Sequence, residues 1–318
     1  MRAKLAGQPV EDLRVDFEDG YGARPDAEED AAAVSAGAAL AGLLTAPGGP
    51  SFAGIRFKSL EPPTRRRGLR TLDLVLGALL DAGPLPGGFL VTLPKVTSTD
   101  QVLAMAEVCE RLEGLYGLAA GALRFEIQVE TPQAILGADG VATVAVLVHA
   151  AGRRCVGLHY GTYDYSAALG IAAAYQSMDH PVADHAKAVM QVAAALTPVR
   201  VSDGSTNVLP VGDTEAVHTA WRLHYRLVRR SLERGFYQGW DLHPAQLPTR
   251  YGATYGFFRE GRVAATARLS AYLERRSAGV LDEPATARAL AGFLLRGLDC
   301  GAFDESEVAF ERSTLESL

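Results

Sequence analysis

The side chains of this sequence that could do chemistry gather at one kind of place. Glu18-Asp19, Lys95, Glu130, Asp164, Asp203 and His243 each stand where a short apolar run gives way to a loop. Residual negative charge collects around Glu130 and Asp164. Hard oxygen ligands, few in number, with waters and substrate completing the shell, describe Mg²⁺, with Mn²⁺ as the alternative ion. Two carboxylates alone are also what a solvated acidic edge looks like. Arg56 carries the planar fork that grips a carboxylate through two parallel hydrogen bonds, and an internal ion pair is its other reading. No nucleophile accompanies them. Gly-x-Ser-x-Gly does not occur, Cys155 opens a strand-like run and reads as core, and His159 reads first as a buried, hydrogen-bonded histidine. His180 and His185 read as surface. A metal and a clamped carboxylate without a nucleophile point to electrophilic catalysis. A 2-oxo acid held by its carboxylate and carbonyl would be stabilised as an enolate or oxyanion while a C–C bond breaks or forms.

These groups need elements to position them. Phe125 to Pro132 alternates strictly: Phe125, Ile127 and Val129 point one way, Glu126, Gln128 and Glu130 the other. Helical patterns flank it, so a parallel strand is expected, with its polar face enclosed and in need of partners. A solvated antiparallel edge strand is the alternative. Further strands are expected over Leu13–Gly20, Phe52–Leu60, Phe89–Val96, Cys155–Tyr160, Pro198–Ser202 and Gly235–Trp240, seven in all. Helices are expected from Asp26 to about Leu44, Leu69 to Leu80, Thr99 to about Tyr116, Ile135 to Ala151, Pro181 to about Leu196, Thr214 to Arg234, Phe257 to Arg275 and Pro284 to Leu298, followed by an acidic tail. With Arg14, Asp16, Glu18, Arg56 and Lys58 on the same interior as Glu126, Gln128 and Glu130, both signs of charge are available for pairing.

Composition excludes several function classes. The chain has 318 residues, 48% of them hydrophobic, and a formal net charge of -6. Arg65-Arg66-Arg67 is the dense basic run, and it lacks interleaved aromatics, so no nucleic-acid surface is expected. Cys109, Cys155 and Cys300 have neither metal-ligand spacing nor the even count of a disulfide framework, which fits a cytoplasmic protein. Met1 to Val10 has no apolar signal core. The Ala-rich stretch from Ala31 to Leu44 is too short to span a membrane, so no membrane association is expected.

Alternation of strands and helices implies βαβ units and a parallel sheet. There is no Gly-x-Gly-x-x-Gly after the first strand and no phosphate-binding loop. Polar residues at nearly every strand's C-terminal end suit a TIM (β/α)8-type barrel better than a doubly wound sheet, which concentrates its site at one switch point. The expected division is a catalytic barrel over residues 1–251 and a helical extension over 252–318, packed on the barrel.

The ordered motifs resemble a known family. Asp16-Phe17-Glu18-Asp19, Ile55-Arg56-Phe57-Lys58, Leu93-Pro94-Lys95-Val96, Val129-Glu130-Thr131-Pro132, Gly161-Thr162-Tyr163-Asp164 with Ala168-Leu169-Gly170, Ser202-Asp203-Gly204 and Leu242-His243-Pro244-Ala245-Gln246 run from about Leu13 to Leu247. Together they resemble the citrate lyase β-subunit-like (CitE-like) branch of the HpcH/HpaI aldolase superfamily, which also holds malyl-CoA lyases. The resemblance implies that Glu130 and Asp164 bind Mg²⁺, that Arg56 binds the oxo acid, and that Glu18 with Asp19 anchors the metal's water shell. It places Lys95 with Arg56, Glu18 and Asp19 among the catalytic residues, and Thr131, Pro132 and His243 beside Arg56 around the substrate. Related pyruvate aldolases carry a histidine base at the position of Asp19, so the citrate lyase side is favoured. The implied activity is a metal-dependent C–C lyase or aldolase on a 2-oxo-acid-forming substrate, free or as a CoA thioester whose phosphates Arg65 to Arg67 could meet. An acyl-CoA thioesterase on the same scaffold and a non-catalytic binding or assembly barrel are the alternatives. A homotrimer or homohexamer is usual for the family. The chain departs from the pattern at Lys58, where the family has asparagine, in a longer segment between Glu130 and Asp164, and in a larger C-terminal region. A first strand like the family's Arg-Ser-x-Leu-Phe-x-Pro is also missing, so a barrel without that strand is expected.

Overall fold

A computed structural model describes residues 1–274 and 283–318. Seven parallel strands form one sheet: β1 (Asp12–Asp16), β2 (Phe52–Arg56), β3 (Phe89–Leu93), β4 (Phe125–Val129), β5 (Cys155–Tyr160), β6 (Arg200–Asp203) and β7 (Gln238–Gly239). They lie in chain order, β1 through β7, each paired with its sequence neighbour. A doubly wound sheet would reverse that order at a switch point. Unbroken order is the mark of a barrel, and this is an incomplete (β/α)8 barrel followed by helices. The seven expected strands are all present.

The helices are α1 (Arg2–Gly7), α2 (Asp26–Thr45), α3 (Arg65–Asp81), α4 (Thr99–Tyr116), α5 (Pro132–Ile135), α6 (Thr143–Ala150), α7 (Thr162–Ala168), α8 (Pro181–Ala194), α9 (Thr214–Glu233), α10 (Leu247–Leu273), α11 (Pro284–Asp299) and α12 (Arg312–Glu316). Local chemistry sets their ends. Asp26, Glu28 and Glu29 occupy the first turn of α2, where acid is favoured by the unpaired N–H groups. Ser98 and Gln101 form a capping box on α4, and Gly117 ends that helix with φ 65°. Asp213 caps α9 by accepting from the Ala216 N–H.

The chain divides into two compact units. One comprises Gln8–Thr206 and Phe236–Trp240 and carries the whole sheet. On the helix side of its strands, Phe125, Ile127 and Val129 are fully buried with Val75, Leu79, Met105 and Met190. Each such side chain stabilises the fold by about 1.5–3 kcal/mol. The opposite face of β4 is enclosed too: Glu126 is 5% exposed and Gln128 7%. The solvated edge strand is thereby excluded. The other unit comprises Met1–Gly7, Asn207–Gly235 and Asp241–Leu318. Its core is built by Phe258, Leu269, Leu294 and Phe303. Within it, Arg250 grips Asp241 at 2.8 and 3.0 Å, and His224 bridges Asp241 and Thr249.

Several expected elements differ in extent. β1 stops at Asp16 because that side chain accepts the N–H groups of Glu18 and Gly20 and turns the chain out of the ladder. β2 stops at Arg56, so the alternation does not reach Lys58. Its ammonium instead meets Glu29 of α2 at 2.7 Å and the Phe17 carbonyl at 2.8 Å, outside the interior where it was expected. The helix expected over Ile135–Ala151 is two helices, α5 and α6, separated by a turn at Gly140 with φ 81°. α7 was not expected as a helix. α10 begins ten residues before the expected Phe257 and runs through Gly252, Gly256 and Gly261; the expected boundary after residue 251 falls inside it. A Cβ on Gly261 would come within 2.5 Å of the Phe293 ring, so this glycine serves close helix packing and breaks nothing. The expected end of that helix at Arg275 lies outside the described residues.

Inside the barrel, Glu126 is held by Arg14, whose Nη2 donates at 2.8 Å. His159 Nε2 lies 2.7 Å from the same carboxylate oxygen. Trp240 Nε1 donates to His159 Nδ1. His159 is thus the buried, partnered histidine of the first reading. Burial works to raise the Glu126 carboxyl, but His159 and Arg14 outweigh it and hold it down at about 2. A depressed carboxylate stabilises the fold above its unfolded value, here 4.5, and loses that contribution as pH falls toward about 2. The difference corresponds to on the order of 3 kcal/mol. Urea midpoints measured between pH 5 and pH 2 are expected to fall less steeply in Glu126→Gln than in the wild type. Equal slopes would show that this carboxylate does not set acid stability.

Candidate active site

The C-terminal ends of β1 to β5 bring most of the expected residues together. Asp16 and Arg56 are register partners on adjacent strands. The Arg56 fork closes on Asp16, with Nε donating to Oδ1 at 2.8 Å and Nη2 to Oδ2 at 2.6 Å. Its Nη1 donates to Gln128 Oε1 at 3.2 Å and lies 3.7 Å from Glu18. The Gln128 amide in turn donates to Glu130 Oε2. The geometry realises the internal ion pair: two donors of Arg56 serve Asp16, and the third serves Gln128, which in turn reaches Glu130.

Glu130 follows β4 directly and is 1% exposed. Its Oε1 accepts the backbone N–H of Lys95 at 2.8 Å. Lys95 follows β3 and has φ 52°, left-handed backbone that a side chain with a Cβ adopts at a cost. Its ammonium donates to Asp19 at 2.8 Å and Asp164 at 3.1 Å and lies 3.2 Å from Glu18. Asp164 is the third residue of α7. That helix is docked by Thr162 and Tyr163, whose hydroxyls donate to the Ser205 carbonyl. Gly161 at the start of the segment has a specific reason. A Cβ there would lie 2.4 Å from Glu130 Cβ and 2.8 Å from its Oε2, so only glycine lets the two segments approach. Asp19 and Asp164 are about half exposed and Lys95 is 30% exposed, so this end of the sheet opens to solvent.

The electrostatics follow from burial among like charges. Burial lifts the Glu130 carboxyl to about 8; neighbouring Asp164 adds to the rise and Lys95 opposes it. Burial also raises Glu18. Burial would raise Asp19 as well, but the Lys95 hydrogen bond helps hold it below its ordinary value. For Lys95, burial is outweighed by Glu130, Asp19, Glu18 and Asp164, and its pKa rises.

Arg56, Glu18, Asp19, Lys95, Glu130 and Asp164 thus form one connected cluster. Thr131 adjoins it: its hydroxyl donates to the Val96 carbonyl and accepts from Ala134, capping α5, of which Pro132 is the first residue. His243 belongs to the other compact unit, where its Nδ1 accepts from Ala245 and caps a short 3-10 turn. Arg67 is committed to Asp30 and Glu29, while Arg65 and Arg66 are exposed. Sequence reading missed Lys187, buried on α8, which bridges both oxygens of Asp203 at 2.9 Å and the Met178 carbonyl at 2.7 Å. The available signal was a lysine at a core position of α8, spaced with Ala183, Ala186 and Met190.

The donor set also bears on a metal. Among the described residues no three His, Cys, Asp or Glu side chains are arranged as a metal cage. Glu130 and Asp164 fit the sparser alternative, two oxygen donors with the rest of the shell left to water and substrate. Glu130 lacks enough cationic compensation, and the missing side chain at Gly161 leaves its carboxylate room. Among the described residues, no helix is long and apolar enough to cross a membrane.

The fold is similar to that of several solved citrate lyase-type structures. A citrate lyase from Burkholderia xenovorans shares 22% identity at a TM-score of 0.69, with 96% of this chain and 87% of that one covered. The CitE protein of Mycobacterium tuberculosis, in complex with magnesium, acetoacetate and coenzyme A, gives 22% and 0.62, covering 92% and 91%. A malate synthase from Haloferax volcanii gives 16% and 0.57, covering 76% of this chain and 64% of that one. At these identities the likeness is one of fold, and at that level the resemblance read from the motifs holds. No curated protein matches the chain in sequence. By sequence the chain belongs to the family described as "Domain of unknown function (DUF6986)", matched over residues 1–318.

Proposed function

We propose that this protein is a Mg²⁺-dependent carbon–carbon lyase or aldolase acting on a substrate that forms a 2-oxo acid. The observation that carries the proposal is the line Arg56–Gln128–Glu130 with Asp164 beside it, which sets a guanidinium donor and two adjoining carboxylates at the open end of one barrel. Glu130 and Asp164 would hold the ion, and when bound it would act as a Lewis acid toward the oxo acid's oxygens. Arg56 Nη1 meets the substrate carboxylate. Asp16 holds the guanidinium plane from behind, so the donor is aimed before substrate arrives. Gln128 keeps Arg56 and Glu130 in fixed relation. Before an ion binds, Lys95 bridges Asp19 and Asp164, and it presents Glu130 through its N–H.

The M. tuberculosis protein's complex with magnesium, acetoacetate and coenzyme A makes both free oxo acids and their CoA thioesters substrates to test. The decisive measurement is proton exchange. In D₂O with Mg²⁺, the methyl signal of pyruvate is expected to lose intensity in the presence of the protein, and to stop doing so with excess chelator. Neither exchange nor C–C cleavage with any short 2-oxo acid or its thioester precursors would overturn the proposal. Release of CoA without C–C cleavage would instead identify a thioesterase. The closed Arg56–Asp16 fork favours one further reading, a barrel that binds without catalysing, in which oxo acids bind but never exchange.

A further inference from the structure

Lys95 serves both candidate metal ligands at once. Its N–H fixes Glu130, and its ammonium lies within hydrogen-bond reach of Asp164 and Asp19 and 3.2 Å from Glu18. The left-handed backbone at φ 52° makes this double reach: it turns the N–H toward Glu130 while the side chain crosses to Asp164. A non-glycine residue held there costs about 1–2 kcal/mol, and the carboxylates around it supply the restraint.

A divalent cation on Asp164 would share that carboxylate with an ammonium. Two positive groups a few ångströms apart repel by several kcal/mol even at the effective dielectric of a protein surface. That repulsion competes with the ammonium's contact to Asp164. We infer that Lys95 is an exchangeable internal counter-ion: its ammonium neutralises the acidic end of the barrel until a divalent cation displaces it from Asp164, and Lys95 thereby sets the cation affinity of the site. This rests on the assignment of Glu130 and Asp164 as the cation ligands. Displacement leaves the Lys95 N–H on Glu130, so the exchange moves a side chain and leaves that ligand's backbone contact in place.

The test is Mn²⁺ binding to the full chain, read by the loss of the free-ion paramagnetic resonance signal and requiring no turnover. Wild type, Lys95→Met, Lys95→Gly and Glu130→Gln are compared, with thermal melts to confirm folding. Methionine keeps the left-handed strain and removes only the charge; glycine removes both. Lys95→Met is expected to tighten Mn²⁺ binding by at least about tenfold, with glycine matching it. Equal or weaker binding in folded Lys95→Met overturns the inference, and tightening confined to glycine assigns the effect to backbone strain and overturns it too. If wild type binds Mn²⁺, Glu130→Gln loses it and Lys95→Met gains nothing, the ligand assignment stands and this inference falls. Binding in none of the four proteins overturns both.

Discussion

Glu130→Gln is expected to lower Mn²⁺ affinity by more than about 100-fold and to abolish Mg²⁺-dependent exchange of pyruvate protons. Changes beside a metal ligand already cost roughly 10–100-fold in affinity, and this change removes the charge of a proposed ligand itself. The substitution is suited to the question because it keeps shape. The new amide oxygen can still accept the Lys95 N–H that Glu130 accepts at 2.8 Å. The partner on the other side is less well served, since the Gln128 amide donates to Glu130 Oε2 and would meet a second amide nitrogen. That misfit costs on the order of 1 kcal/mol, too little to unfold a domain. The variant should therefore melt cooperatively while binding poorly. Isothermal calorimetry with Mn²⁺ and a melt on the same sample separate the two effects. A folded variant with wild-type affinity would remove Glu130 from the site.

The largest stability effect is expected away from that cluster. Lys187 and Asp203 are both nearly inaccessible, at 1% exposure each, and form an ion pair between α8 and β6. Asp203→Asn keeps the volume and can keep the oxygen that accepts the Gly204 N–H at 2.7 Å. It removes the carboxylate that pairs with the ammonium at 2.9 Å and leaves that ammonium one amide oxygen, the Met178 carbonyl, the faces of Tyr160 and Phe236, and the more distant Asp184 at 3.9 Å. Breaking one side of a buried pair costs about 3–5 kcal/mol, mostly the burden of the orphaned charge. Removing both charges is much less harmful. Lys187→Met combined with Asp203→Asn should thus recover most of what Asp203→Asn alone loses in urea unfolding. A double variant as unstable as the single one would mean that packing, not charge, decides the site.

Legibility of the sequence tracked the range of the interactions involved. β4 was readable because its alternation is local and its polar face, once enclosed, demands partners. Arg14 on Glu126 and Arg56 on Gln128 answer that demand. Strand ends were less readable, because side chains that bond backbone terminate them. Asp16 turns the chain after β1, and the parity that works up to Arg56 fails at Lys58. α10 begins earlier than the expected Phe257, and the close approach of Phe293 to Gly261 leaves no local trace in the sequence. The cluster was legible as a set of residue types at strand ends. Its wiring was not: the Arg56 fork on Asp16, the Lys95 ammonium on three carboxylates and the Lys187–Asp203 pair are all made across elements. His243 shares the motif order, yet its ring caps a turn in the other unit.

Gln128 has a consequence of its own. Its oxygen receives Arg56 and its nitrogen serves Glu130, so the guanidinium and the buried carboxylate are held a single amide group apart. The side chain works as a gauge block. On the proposed function, an oxo acid reaching from Arg56 toward the Glu130–Asp164 end would have to fit within that spacing.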